Sequence, residues 1–344
     1  MSFIIAMERL TLSFLIFILL FTGCTNSKGP DVSGIKVEIP IERFDKSFFA
    51  LDTNNIAVGL KELMQSHPDF YTDFMQQILG ISGADTNLVS QDVSKIFIRG
   101  YSSMYQSLSK QYNDVGWLRK DLQKAFQYVK YYFPEYKTAK IILFMGPLDA
   151  PGVALTKSGI AIGLQQFGGK DFPAYQSMET QQLFPAYISR RFEPQYIVVN
   201  CMKAVSEDIY PDRSGVKGLV EQMIEKGKKW WLLDKFLPAT PDSLKTGFTK
   251  QQLEWCEANE GMIWNDMITT QKDLYTKNPM AIQDYLGEAP FTQSLGPASP
   301  GNIGQWIGWQ IVKKFADKNS SMSVADVLKT DARKILEEAK YKPK

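Results

Sequence analysis

The apolar positions change period along the chain. Between Leu51 and Leu79, Leu60, Leu63, Met64, Phe70 and Phe74 recur at near-helical spacing, with Pro68 interrupting. From Val93 to Leu108, Ile96, Phe97, Tyr101, Met104, Tyr105 and Leu108 fall on one helical face. Leu118, Leu122, Phe126 and Val129 continue the pattern over Trp117–Tyr131, which must stop before Pro134 because the residue ahead of a proline disfavours helix. Two short unbroken apolar runs follow, Lys140–Met145, ended by Gly146-Pro147, and Gly159–Leu164. Each reads as a buried strand, and the two are expected to pair across the loop from Asp149 to Ser158. Helical spacing then returns over 182–191, 195–206, 216–236, 250–267 and 323–336. The pattern predicts an α+β fold: a single, mostly helical body, residues 41–344, carrying a small β-sheet or hairpin.

Residues 300–312 combine glycines with an apolar stripe. Pro300-Gly301 opens a predicted helix on which Ile303, Ile307 and Ile311 share a face, and Gly304 and Gly308 form a second row. Glycine inside a helix costs about 1 kcal/mol relative to alanine, so such a row needs a compensating close contact. Packing against another backbone is the preferred reading for Gly301, Gly304 and Gly308, with a ligand cradle as the alternative. A Walker loop requires Gly-Lys-Ser/Thr after a strand and a dinucleotide turn requires Gly-x-Gly-x-x-Gly; the segment has neither.

The N-terminus has a pattern of its own. Arg9 is the only basic residue before an apolar run from Leu12 to Phe21, which ends in Phe21-Thr22-Gly23-Cys24. At roughly ten residues the run is about half the length of a membrane-spanning helix and fits a signal peptide over 1–23. The Gly23-Cys24 exit resembles the lipobox of bacterial lipoproteins, in which the cysteine is diacylated and becomes the mature N-terminus. That resemblance implies membrane lipid as a partner through acylated Cys24, since two acyl chains suffice for stable anchoring. Residues 24–40, with Gly29-Pro30 and Ser33-Gly34, read as a lipidated start and flexible tether, able to span roughly 50 Å when extended.

Composition narrows the chemistry. With 44% hydrophobic residues and a net charge of +2, the chain can bury a large core and has no nucleic-acid footprint. There is one histidine, His67, so the His-Glu-x-x-His pair of a zinc peptidase is impossible, and no metal or other cofactor is expected. His67, next to Pro68, reads as a turn residue. Cys201 and Cys256 carry no flanking motif; they are either a disulfide pair or two isolated buried thiols. Glu254 and Glu257, near Trp255 and Trp264, are a candidate carboxylate pair, but at this spacing on one helix they read as solvated charge. Trp230-Trp231, Trp255 and Trp264 read as core and not as a sugar platform.

Many short segments, taken in order, resemble one family. They are Ile41–Asp45, Tyr131–Pro134, Gly163-Leu164, Pro185-Ala186-Tyr187, Glu254-Trp255 with Glu260 and Trp264, Leu274-Tyr275, Ala289-Pro290-Phe291, Pro300–Gly308 and Tyr341-Lys342-Pro343. Together they look like the gliding-motility lipoprotein GldB family of the Bacteroidetes, over nearly the whole chain. The resemblance implies a membrane-anchored, periplasm-facing envelope lipoprotein with protein partners there. A remote likeness of that family to putative zinc peptidases implies a zincin-like frame without its metal site. The family carries no catalytic residues that could be transferred. The segment Lys226-Gly227-Lys228-Lys229-Trp230-Trp231 departs from the tyrosine-rich stretch expected there. Three functions follow as expectations: a non-enzymatic scaffold, with a filled site; a hydrolase using carboxylates, with a deep acidic cleft; or a binding module, with an open groove along 159–164.

Overall fold

The computed structural model describes residues 29–81, 86–271 and 273–343. The signal segment 1–23 and Cys24 lie outside the described residues. The chain divides into a unit ending at Asp31 and a body from Val32 to Lys344, and every element below belongs to the body.

The body opens with β1 (Ile41–Arg43), followed by α1 (Phe44–Phe49), α2 (Ile56–Ser66) and α3 (Pro68–Asp73), which runs into a π-helical turn, Phe74–Ile78. Pro68 takes the first position of α3, where its missing N–H costs nothing. The two long helices α4 (Leu88–Gln111) and α5 (Gly116–Tyr132) come next. The Asn87 side chain caps α4 by accepting from Ser90 N. Helix α5 ends ahead of Pro134, as expected, with Phe133 as its C-cap. Then come β2 (Ile141–Phe144), β3 (Val153–Thr156) and β4 (Gly159–Gly163).

The rest is helical: α6 (Met178–Leu183), α7 (Ala186–Ser189), α8 (Ile197–Ile209), α9 (Leu219–Phe236), α10 (Asp242–Thr246), α11 (Lys250–Ala258) and α12 (Glu260–Gln271). The chain closes with α13 (Pro279–Leu286), α14 (Ile303–Lys318), α15 (Val324–Lys329) and α16 (Ala332–Ala339). Three segments expected as single helices are each two. Pro185 separates α6 from α7, a break at Asn259 separates α11 from α12, and Asp331, capping Arg333 N, starts α16 afresh.

The sheet order is β1-β2-β4-β3. The two apolar runs do pair, with Ile141 opposite Ile160, but in parallel, so they form no hairpin. The hairpin is β3–β4, antiparallel, with Leu155 opposite Ile160. Alternation across β2 and β4 supplies two cores. Ile141, Leu143, Ile160 and Ile162 face the main helical core, while Ile142, Phe144 and Ala161 face a smaller one built on Phe44, Phe48, Phe70 and Phe74. The fold is α+β, a mostly helical body around a small mixed sheet.

Two expectations need correction. Ile96 points out from α4 and is 72% exposed, while Phe97 and Leu108 are buried. The stretch expected as tether as far as Pro40 is packed from Val32 onward: Val32, Val37 and Ile39 are buried, and Gln127 Nε2 donates to Ile35 O at 2.9 Å. Val37 and Ile39 alternate with Lys36 and Glu38, a period-two pattern that an extended chain uses to bury one side.

The centre of the body is the crossing of α9 and α14. A Cβ on Gly308 would lie 1.8 Å from Met223 O, and one on Gly227 would lie 2.2 Å from Gly308 C, so the two backbones are in direct contact. Trp309 Nε1 donates to Asp234 at 2.7 Å, and Trp230 meets the Trp309 ring edge-on at 5.9 Å. Gly304 sits against Tyr285 O and Met223, and Gly301 against Ala289 O.

Candidate functional site

The segment 226–231, singled out in the sequence as a departure, feeds every side of α9. A helix turns through roughly 100° per residue, so six consecutive residues point all round it. Gly227 gives the contact with α14, Trp230 and Trp231 enter the core, and Lys226 and Lys229 face a recess. Lys228 is fully buried. Its ammonium donates to Glu225 Oε2 at 3.0 Å, Leu328 O at 2.9 Å and Thr330 O at 2.7 Å, and lies 3.2 Å from Tyr210 Oη. Burial pulls its pKa down and Glu225 opposes that. These contacts tie α9 to the end of α15.

The recess, about 280 Å³, lies among α8, α9 and the start of α14. Trp230 and Leu233 form an apolar wall and Thr246, Asn302 and Gln305 a polar one. A narrower space of about 30 Å³ shares Arg191, Thr246, Glu288 and Asn302 with it and adds Tyr187, Ala289, Pro290, Pro300 and Gly301. Three segments that carry the family resemblance thus converge here: those beginning at Pro185, Ala289 and Pro300. Asn302 adopts a left-handed conformation (φ 57°) at the head of α14. Its Nδ2 donates to Gln305 Oε1 at 2.8 Å, and Gln305 Nε2 donates to Lys226 O at 2.9 Å, a chain that fixes both amides.

The wall charges are mostly paired. Arg191 holds Glu288 at 2.9 Å, Lys226 holds Asp212 at 3.3 Å and Lys229 holds Glu207 at 3.1 Å. The remaining cation, Lys203, makes no hydrogen bond or ion pair with any described residue. Burial, helped by nearby Arg191, lowers its pKa to about 8, against a small opposing pull from Glu288.

A larger groove, about 750 Å³, lies along α14 between Glu257, Glu260 and the C-terminal residues. Its charges alternate in sign: Glu257, Glu260 and Asp317 stand beside Lys313, Lys314 and Lys318. Glu260 Oε1 accepts from Tyr341 Oη, and Lys313 caps the Trp309 ring at 3.3 Å. Trp306 and Trp309 are buried beneath it and offer no face for stacking. The candidate carboxylates separate here: Glu257 lines the groove, whereas Glu254 stands in solvent with Lys250 at 3.6 Å. Trp255 and Trp264 are partly buried against the core. Strand β4, along which an open groove is one expectation, is buried throughout, with β2 and β3 on its two edges.

His67 lies between α2 and α3, its Nδ1 3.4 Å from Glu42 Oε2 and its ring edge-on to Phe44, and it lines neither cavity. No group of three or more His, Cys, Asp or Glu side chains among the described residues is placed to hold a metal ion. Cys201 and Cys256 are both free and buried, and burial raises both thiol pKa values well above the ordinary range. Neither thiol should react with a thiol reagent such as DTNB in the native protein, and both should react after denaturation. Rapid reaction of either before unfolding would contradict their burial.

The family model described as gliding motility protein GldB covers residues 25–343. No curated protein and no solved structure is similar to the chain, and the zincin-like frame finds no support there.

Proposed function

The chain belongs to the gliding motility protein GldB family, and from that premise we propose that it is a lipid-anchored, non-catalytic component of the envelope machinery for gliding or protein secretion. It is exported by residues 1–23, acylated at Cys24 and faces the periplasm, where the body contacts partner proteins. The observation that supports this reading best is the recess. The segment beginning at Pro300 lines it, those beginning at Pro185 and Ala289 line the narrower space that shares four residues with it, and the recess holds cations already paired with carboxylates, apart from Lys203. Such a wall recognises charge; a hydrolytic pair of unpaired carboxylates would look different. No helix among the described residues is long and apolar enough to cross a membrane.

Anchoring matters for a binding protein because it raises the effective concentration at partners in the same membrane, so that modest affinities suffice. Cys24→Ala is expected to abolish acyl labelling and move the protein from the membrane to the soluble fraction. The decisive comparison is a deletion strain complemented by the wild type or by an exported, untethered form lacking Cys24. The untethered form should fail to restore motility or secretion. Full rescue by it, or substrate turnover that vanishes on mutating Glu257, would overturn the proposal.

A further inference from the structure

The charge balance of the recess points to what it binds. Four cations, Arg191, Lys203, Lys226 and Lys229, face three carboxylates, Glu207, Asp212 and Glu288. Each carboxylate is held by one cation, leaving a surplus of one positive charge at Lys203, on the wall of α8. Arg191, which uses one Nη on Glu288, has further N–H donors in its planar fork. A monoanion neutralises this surplus. A dianion such as phosphate would bring a second negative charge among three carboxylates, with no free cation left to meet it.

The space sets the size. About 280 Å³ is just below the range of roughly 300–1,000 Å³ for small-ligand sites, too small for a folded element or an oligosaccharide. Trp230 and Leu233 give the recess its apolar lining, on the same face of α9 as Lys226 and Lys229, while Thr246 and the fixed amides of Asn302 and Gln305 present polar groups. One carboxylate, one apolar side chain and a neighbouring peptide group match these three surfaces. We propose that the recess binds the free C-terminal end of a polypeptide, with the terminal carboxylate on Lys203 and Arg191 and the last side chain against Trp230 and Leu233. The proposal rests on the reading of this recess as the body's contact site.

The test uses the full-length protein purified from membranes in detergent. Its probe is a fluorescein-labelled Gly-Ala-Leu tripeptide, followed by anisotropy. The free-acid peptide should bind, and its C-terminal amide should bind about 10- to 100-fold more weakly, the range for losing a hydrogen bond to a charged group. Lys203→Gln should weaken the free acid by a similar factor, while Lys203→Arg, which keeps the charge, should not; equal thermal midpoints exclude misfolding. As pH rises through about 8 the Lys203 ammonium discharges, so wild-type affinity should fall there, and the Lys203→Arg protein should not show that fall. The other groups facing Lys203 are the three carboxylates and the cations paired with them. Equal binding of acid and amide overturns the proposal, as do absence of binding at millimolar peptide and displacement by inorganic phosphate at lower concentration than by acetate. None of these outcomes bears on anchoring at Cys24, which the complementation test judges alone.

Discussion

Lys228→Met should destabilise the protein by about 3–5 kcal/mol, the range for removing one partner from a buried ion pair. Methionine is close to lysine in length and leaves no large void, so the loss comes from polar groups. The carbonyls of Leu328 and Thr330 lose a donor at 2.9 and 2.7 Å, and Glu225 loses one of its charge partners while keeping Lys217 and Tyr210. Total stabilities of single domains are about 5–15 kcal/mol, so the variant should sit near the edge of folding. Urea denaturation gives the number. Adding Glu225→Gln serves as the charge control. The double variant should recover part of the loss, since removing both members of a buried pair is far cheaper than removing one. A single-variant loss below about 1 kcal/mol, an ordinary value for a point change, would show that the ammonium is dispensable.

Gly308→Ala is the second large effect. Its new methyl would stand 1.8 Å from Met223 O and 2.3 Å from Met223 C, backbone atoms that no side-chain rotation can move aside. Carbon atoms prefer about 3.5–4.0 Å, so α9 and α14 must separate. Separation strains the Trp309–Asp234 and Gln305–Lys226 hydrogen bonds together. Overpacking usually costs about 1–3 kcal/mol; here the upper end or more is expected. Gly100→Ala is the matched control. Gly100 lies inside α4 with nothing within 4 Å of a new Cβ, so the same substitution should stabilise by about 1 kcal/mol. Thermal unfolding should move the two midpoints in opposite directions, and a Gly308→Ala midpoint equal to the wild type would mean the crossing is looser than it stands.

Much of the architecture is legible in local pattern. Helices α4 and α5 follow from apolar spacing, the end of α5 from Pro134, and β2 and β4 from unbroken apolar runs. Strand direction is not legible, because Val153-Ala154-Leu155-Thr156 is half-exposed and lacks a distinctive alternation, yet it is this short strand that turns the β2–β4 pair parallel. Strand β1 is only three residues long and half-buried. The recess escapes the sequence for a similar reason. Lys203 is the one lysine of an amphipathic helix, and Arg191 one of two arginines after a short one; neither spacing carries a motif. One signal does exist. Lys203 shares α8 with Ile197, Val199, Cys201, Met202 and Val205, all buried, so its charge has to find either a partner or a cavity. The same reasoning applies to Lys228 on α9, which is buried nearly all round.

The distances in sequence that the fold must close also set an order in time. Residue 41 pairs with residue 141, and the ammonium of residue 228 finds its carbonyls at 328 and 330. A chain that emerges from its N-terminus therefore cannot begin pairing β1 until β2 has appeared, and cannot satisfy its buried charge until the end of α15 arrives. Contacts so remote form slowly, because loop closure must precede the reward. The smaller core, built mostly from residues ahead of β2, closes only when the sheet adds Ile142, Phe144 and Ala161, and loss of the final two helices would leave Lys228 without its carbonyls: the earliest part of the body waits for the sheet, and its centre waits for residues 328–330.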